Sequence, residues 1–428
     1  MNLGCHCPTF GLDVAQISDL GMRRMNNQDS VAVVVTDDQN TWSSRGHLLM
    51  VADGMGAHAA GELASKLAVD NIPHIYFKLR DQYPPAALRQ AIREVNTLIH
   101  TKGQSSIGFQ GMGTTCSCLV LLPEGALIAH IGDSRVYRLR GNRLAQLTFD
   151  HSLVWEMAAA GHMAEEDVPA YIPKNVITRS LGPHESVNMD LEGPYDATEG
   201  DVFLLCSDGL SGQIPDFEIG ALLQCLTPTE AVQTLVDVAN LRGGPDNISI
   251  VAARVVGDGL GRADQSTVVG AARARPSLRE ILLGGAAIAC LFALAFCLVN
   301  QFWPASAIFG VGMLATGGLL FSKRSRHSTP CTSDRSIGGP YGNGPYRETP
   351  CEPNRKMVDS LAEITAKLRD LPGGMSSGVT ATSLDRLSGE ATTAAAVGDF
   401  TTAVKRYSEA IRTTMQQLRI QRTTSDVV

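Results

Sequence analysis

Residues 11–256 of this 428-residue chain predict a mixed α/β (α+β) domain in which sheets are sandwiched between helices. Short apolar runs alternate with helix-like segments, and Asp, Gly and Asn punctuate the joins. Runs such as residues 33–35, or Leu204 with Leu205, lack the polar–apolar alternation of a strand with one wet face. Both faces of such strands are therefore expected to be covered. A carboxylate also recurs at strand ends.

The clearest strands are expected at residues 30–35, 48–52, 116–122, 126–131, 202–206 and 248–253. Between them, residues 60–79, 85–103, 152–160 and 229–241 repeat apolar side chains at three- and four-residue steps, the spacing of a helix with one buried face.

After residue 256 the composition changes. Residues 257–280 are polar and rich in Gly, Ala and Arg, as in a linker. Residues 281–299 and 302–321 are uncharged and apolar, each close to the ~20 residues that cross ~30 Å of hydrocarbon. Two transmembrane helices over 281–321 are the expectation, the alternative being a buried hairpin in a soluble domain. Arg273, Arg275 and Arg279 precede the pair and Lys323, Arg324 and Arg326 follow it, so both flanks are expected in the cytosol, giving a multi-pass protein of the cell membrane. Residues 322–354, dense in Ser, Thr, Pro and Gly, read as a flexible linker. Met357, Leu361, Ile364 and Leu368 form a helical stripe, and residues 384–418 a second one, so a C-terminal helical hairpin is expected over 355–420. Residues 398–410 resemble part of a tetratricopeptide repeat, but one copy does not make a solenoid.

A net charge of −7 argues against nucleic acid as a partner, because phosphate neutralisation needs a basic face. The ten cysteines are scattered singly, as reduced and buried thiols are. Cys5 and Cys7, or Cys116 and Cys118, lack the spacing of a zinc knuckle. Residues 1–10 have neither the basic start nor the apolar run of a secretory signal.

Chemistry is expected from five aspartates, each close to Gly or Asn: Asp29, Asp53, Asp133, Asp208 and Asp246. They span too much sequence for a local calcium loop. Each taken alone reads as a turn or cap residue. Converging at strand ends, they would form an oxygen-rich cage for hard cations such as Mg²⁺ or Mn²⁺, which can lower the pKa of water for attack on phosphorus.

The sequences around these residues resemble, in order, the motifs of type 2C metal-dependent serine/threonine protein phosphatases in their bacterial style. They are SDLGMRRMNNQD at 18–29, VADGMGAHAAGELAS at 51–65, GMGTT at 111–115 and IGDSRVYRLR at 131–140. LTFDHSLV at 147–154, NVITRSLG at 175–182, LLCSDGLSG at 204–212 and GGPDNISIV at 243–251 complete the set. The resemblance implies a four-layer αββα sandwich of two antiparallel sheets flanked by helices. It implies a centre of two Mn²⁺ or Mg²⁺ ions in which Asp53 bridges both, the Gly54 carbonyl binds one, and Asp208 and Asp246 complete the other. Asp29 would hold metal-bound water, the attacking hydroxide would come from such water, and Asp133 with Asp208 would take a third, weaker ion. Arg24 aligns with the arginine that grips the substrate phosphate, Arg23 beside it being the alternative, and Asn247 would fix Asp246 from outside the ligand set.

Two features depart from the family pattern. Ala57 stands where a glycine is usual, and the histidine that some members carry two residues after the bridging aspartate is Met55 here. His58 is then either the general acid or a local packing residue. His151 is expected to anchor the turn before the next helix, and residues 160–174 to form the variable flap at the active site. The expected activity is hydrolysis of phosphoserine and phosphothreonine on phosphorylated proteins at the membrane, opposing a Ser/Thr protein kinase. The competing readings are an inactive phosphatase-like scaffold, which would be expected to have lost metal aspartates, and a regulator of an anti-sigma antagonist.

Overall fold

On strand β11 (Val202–Cys206), Phe203 and Leu205 point one way and Leu204 and Cys206 the other, and every residue is buried. The same alternation holds on β4 (His47–Met55), where Leu49 and Val51 alternate with Leu48, Met50 and Ala52, all five buried. Both strands lie in the middle of sheets covered on both faces, which is why their apolar runs are continuous. The structure, a computed structural model, describes residues 5–7, 11–57, 59–161, 168, 172, 173, 176–257, 340–370 and 378–425.

Two antiparallel sheets build the sandwich. The first joins β1 (Cys5–Cys7), β2 (Leu12–Asp19), β12 (Ile248–Val255), β11, β8 (Arg135–Arg140), β9 (Arg143–Gln146) and β13 (Arg347–Pro350), in that spatial order. The second joins β10 (Asp190–Tyr195), β7 (Gly125–Ile131), β6 (Cys116–Leu122), β4 and β3 (Asp29–Val34), with the short β5 (Gly113–Thr114) on β4. Between the sheets lies a core that includes Leu12, Val14, Leu49, Leu119, Ile128, Val136, Phe203 and Val251. Besides α1 (Gln39–Arg45), α2 (Ala60–Lys78) and α3 (Pro84–Gln104) cover the second sheet. The first sheet is covered by α6 (Asp216–Cys225) and α7 (Pro228–Leu241), which follow the short helix α5 (Asp208–Ser211). The helix α4 (Leu153–Gly161) leads into the flap region.

Past residue 339 the structure departs from the expected linker and hairpin. Instead of a linker reaching residue 354, Tyr341 pairs with Gly193 beside the second sheet, and β13 then extends the first sheet by pairing with β9. From residue 340 the Gly and Pro density that reads as linker composition belongs instead to a strap fitted tightly between elements. Tyr346 and Gly344 both donate to the buried Glu192, and Cys351 packs under Gly220. A Cβ at Gly220 would sit 2.5 Å from that of Cys351, so only glycine admits the strap there.

The expected hairpin is three helices, α8 (Arg355–Arg369), α9 (Gly378–Ala396) and α10 (Phe400–Ser425). The run that reads as one helix from 384 to 418 breaks at Gly398, whose φ of 84° is left-handed, and restarts where Asp399 caps Thr402 N at 3.0 Å. Met357, Leu361, Ile364, Tyr407 and Ile411 merge with the core under α6 and α7. Arg412 bonds Glu230 at 3.0 Å, Arg419 bonds Asp237 at 2.6 Å, and Arg242 joins Glu218 to Ser360. The expected transmembrane pair at 281–321 lies outside the described residues, among which no helix is long and apolar enough to cross a membrane.

Candidate metal centre

All five aspartates lie at one end of the sandwich. Asp29 opens β3 and is the direct cross-strand partner of Asp53 on β4. Asp133 occupies the turn from β7 to β8, Asp208 opens α5 after β11, and Asp246 precedes β12. The backbone around Asp53 is held by the GMGTT segment. Thr115 Oγ1 accepts from Asp53 N at 2.9 Å, while Thr115 N and Thr114 Oγ1 donate to Asp53 O at 2.8 and 2.9 Å. A Cβ on Gly54 would lie 2.1 Å from Gly61 O, so glycine is required where α2 closes against this strand end.

Electrostatics tie the carboxylates together. Withdrawal from water, followed by the charges of Asp29, Asp208, Asp133 and Asp246, holds Asp53 well above the ordinary carboxylate pKa. Burial pushes Asp29 up to about 7, against the opposing hydrogen bond from Ser207 Oγ at 2.8 Å. Asp133 is pushed up to about 8 by burial and then by Asp208. Asp208 is also raised, first by burial and then by Asp246, while a hydrogen bond with Asp53 pulls the other way.

Within this cluster three carboxylate oxygens are buried with no hydrogen-bond partner among the described residues: Asp29 Oδ1, Asp133 Oδ1 and Asp208 Oδ1. Such orphaned acceptors cost free energy unless a cation or proton meets them. Among the described residues no three His, Cys, Asp or Glu side chains already close into a ligand cage. The fit to a hard cation therefore rests on these donor atoms and on the mutual repulsion that a positive charge would relieve.

Arg24 lies on the exposed loop from β2 to β3 and donates to Asp246 Oδ2 at 2.7 Å. That bond, with the more distant Asp53 and Asp208, holds its guanidinium charge firmly. Arg23 is also exposed. Asn247 does more than adjoin Asp246. Its N–H donates to Asp246 Oδ1 at 2.8 Å, and its side chain spans the loop, donating to Leu20 O at 2.9 Å and Asn26 O at 3.1 Å and accepting from Gln28 N at 2.9 Å. Ala57 accepts from Ala60 N at 3.1 Å in the turn before α2, whereas His58 and most of the flap lie outside the described residues.

Sequence reasoning passed over Ser207, Thr115 and Ser134, although all three stand inside the quoted motifs. Thr115 Oγ1 and Ser134 Oγ are 2.8 Å apart and link the Asp53 strand to the Asp133 turn. His151 anchors more than its own turn. Its N–H donates to Gly132 O at 2.7 Å, its Nδ1 accepts from Gly132 N at 3.0 Å, and its Nε2 bonds Asp190 at 2.9 Å. It thereby pins the residue just before Asp133.

The sequence profile of the family described as protein phosphatase 2C matches residues 22–240, more than half of the chain, which therefore belongs to that family. It is a metal-dependent protein-serine/threonine phosphatase of the bacterial kind, a class that uses Mn²⁺ or Mg²⁺ and acts on phosphoproteins. Protein phosphatase PhpP of Streptococcus pneumoniae serotype 2 is 35% identical over 248 residues, 56% of this chain and 96% of that protein. The crystal structure of the serine/threonine phosphatase PstP of Mycobacterium tuberculosis superposes with a TM-score of 0.50 at 35% identity, covering 57% of this chain and 99% of that one. The S. agalactiae serine/threonine phosphatase gives 0.51 at 32% identity, with coverage of 57% and 99%.

Proposed function

We propose that the chain hydrolyses phosphoserine and phosphothreonine at a two-cation centre in which Asp53 and the Gly54 carbonyl, Asp208 and Asp246 are the ligands, and in which Asp133 with Asp208 offers a third, weaker position. The observation that carries this reading is the set of buried oxygens on Asp29, Asp133 and Asp208 that have no partner within the protein. When bound, Mg²⁺ or Mn²⁺ supplies positive charge that acidifies water and neutralises phosphoryl oxygens.

The chain's own residues do the rest. Ser207 holds one oxygen of Asp29 and leaves Oδ1 to accept a hydrogen bond from the attacking water. Arg24 spends one of its five N–H donors on Asp246, so its fork is oriented while the others remain for phosphate oxygens. His58 is the residue we would test as general acid.

We further propose that residues 281–321 anchor the enzyme in a membrane, with the catalytic domain and C-terminal helices both in the cytosol and acting against a Ser/Thr kinase. Support comes from the two uncharged apolar segments and their Arg and Lys flanks. The pairing of β13 with β9 keeps the chain before and after the segment on one side, as an even number of spans requires. Membranes from cells making the full chain should retain it until detergent is added; a chain that stays in the soluble fraction overturns the anchor.

Catalysis is tested with the full chain on a phosphothreonine peptide, with Mn²⁺ or with a chelator, beside Asp53→Ala and Asp208→Ala. Turnover that needs the cation and is lost in both variants supports the reading. A folded wild type that takes up Mn²⁺ and releases no phosphate overturns it in favour of a binding module.

A further inference from the structure

The loop that carries Arg24 is a fixed arch. Asn247 ties its two feet together through Leu20 O and Asn26 O. Met22 N donates to Gly244 O at 2.8 Å, and Gly21 N donates to Asp19 Oδ1 at 2.9 Å. Gly21 has a φ of 77°, and a Cβ there would lie 2.1 Å from Asp246 O, so the arch presses directly against the segment that supplies Asp246. Its backbone polar groups are thus tied down at several points, and Arg24 is held by Asp246 at its crown.

Yet the arch presents apolar side chains to water. Leu20 is 40% exposed, Met22 49% and Met25 94%, three large apolar residues within six positions. Scattered exposed apolar side chains need no explanation, but a cluster on a rigid support marks a contact surface. In sequence Met22 and Met25 stand on either side of Arg24, whose guanidinium would receive the phosphate.

Resting on the phosphatase reading, we infer that this arch is the substrate-reading edge of the enzyme: Met22 and Met25 take up apolar side chains that flank the phosphorylated Ser or Thr. A phosphate gripped by Arg24 brings its neighbouring residues over the arch. Methionine is unbranched and polarisable, so the arch selects apolar flanks as a class rather than one sequence. Shielding one flanking side chain here is worth about tenfold in kcat/KM, carried mainly by KM.

The full chain with Mn²⁺ is assayed on two phosphothreonine peptides of equal length and charge, one with Leu and one with Ser on either side of the phosphoresidue. Each rate is divided by the same enzyme's rate on p-nitrophenyl phosphate, which has no flanking chain. Wild type should prefer the Leu peptide about tenfold; Met22→Ser/Met25→Ser should bring the ratio close to one, and Met22→Leu/Met25→Leu should keep it. Equal use of both peptides by wild type, or a preference that survives the double serine variant, overturns the inference. Hydrolysis of the aryl phosphate with neither peptide consumed removes the protein-phosphatase reading, and the docking edge with it.

Discussion

Asp29 and Asp53 face each other across one rung of the β3–β4 ladder, two carboxylates placed as direct cross-strand partners. Like charges so placed are destabilising. Ser207 bonds one oxygen of Asp29, and under the proposed two-cation centre bound positive charge would relieve the rest of the repulsion. On that proposal the site exchanges stability of the metal-free fold for function.

That exchange gives a pH dependence with a definite sign. Burial holds Asp29 at about 7 and Asp133 at about 8, both above the ordinary carboxylate value. Protonation therefore favours the fold. The contribution is complete below about pH 4 and is lost as pH rises through the two folded values. In a chelator, wild type should lose melting temperature between about pH 4 and 7 relative to Asp29→Asn, which has no such proton to lose. Adding Mn²⁺ at the upper pH should restore it by binding the folded form only. Parallel pH profiles for the two proteins would remove this account of the site.

His151 and Gly132 exchange two hydrogen bonds, and the residue they pin adjoins Asp133. His151→Ala should cost about 10–100-fold in Mn²⁺ affinity or activity, the usual scale for a group that orients a ligand from behind. Asn at position 151 can offer its amide oxygen where Nδ1 stands, and should recover part of the loss. A metal titration of both variants measures this, and equal defects in both would show that the hydrogen bond is not what matters.

The sheets were legible in the sequence where strands are apolar on both faces, as in β4, β6 and β11. They were not legible where a polar residue faces inward with a private partner. In β8 the alternation is obscured by Arg135, buried against Asp150 at 2.7 Å, and in β10 by Glu192, which receives Tyr195, Tyr346 and Gly344. The strap escaped for a related reason: its glycines and prolines look like a linker until Gly220 and Glu192, distant in sequence, are seen to receive it. The aspartates were legible through their motifs, since a shared order of short segments carries more information than any side chain. The clamp by Asn247 across the Arg24 arch depends on contacts some 220 positions apart, which no local pattern encodes.

Gly220→Ala tests whether the strap is part of the folded domain. The added methyl would meet Cys351 in the space the strap occupies, and overpacking of this kind costs about 1–3 kcal/mol. Urea unfolding of the full chain should show that loss. Cys351→Gly in the same background should recover much of it, whereas an unchanged midpoint for Gly220→Ala alone would mean that the strap does not pack there.

Asp237 on α7 and Arg419 on α10 form an ion pair. The Asp237 side chain is fully buried, and Arg419 bonds it at 2.6 Å while remaining 29% exposed. Burial pushes Asp237 up to about 6, with Arg419 opposing that rise. Arg419→Ala leaves a buried carboxylate that has lost its counter-charge, and removing one member of a fully buried pair costs about 3–5 kcal/mol. Because Arg419 is partly wet, a loss of about 2 kcal/mol is expected. Replacing both partners with apolar residues of similar size, Asp237→Leu with Arg419→Met, removes the unpaired charge and should return stability close to wild type. Chemical denaturation at neutral pH measures all three proteins. If Arg419→Ala is as stable as wild type, α10 does not depend on this ion pair for its hold on the catalytic domain, and the apolar seam of Tyr407 and Ile411 carries the contact alone.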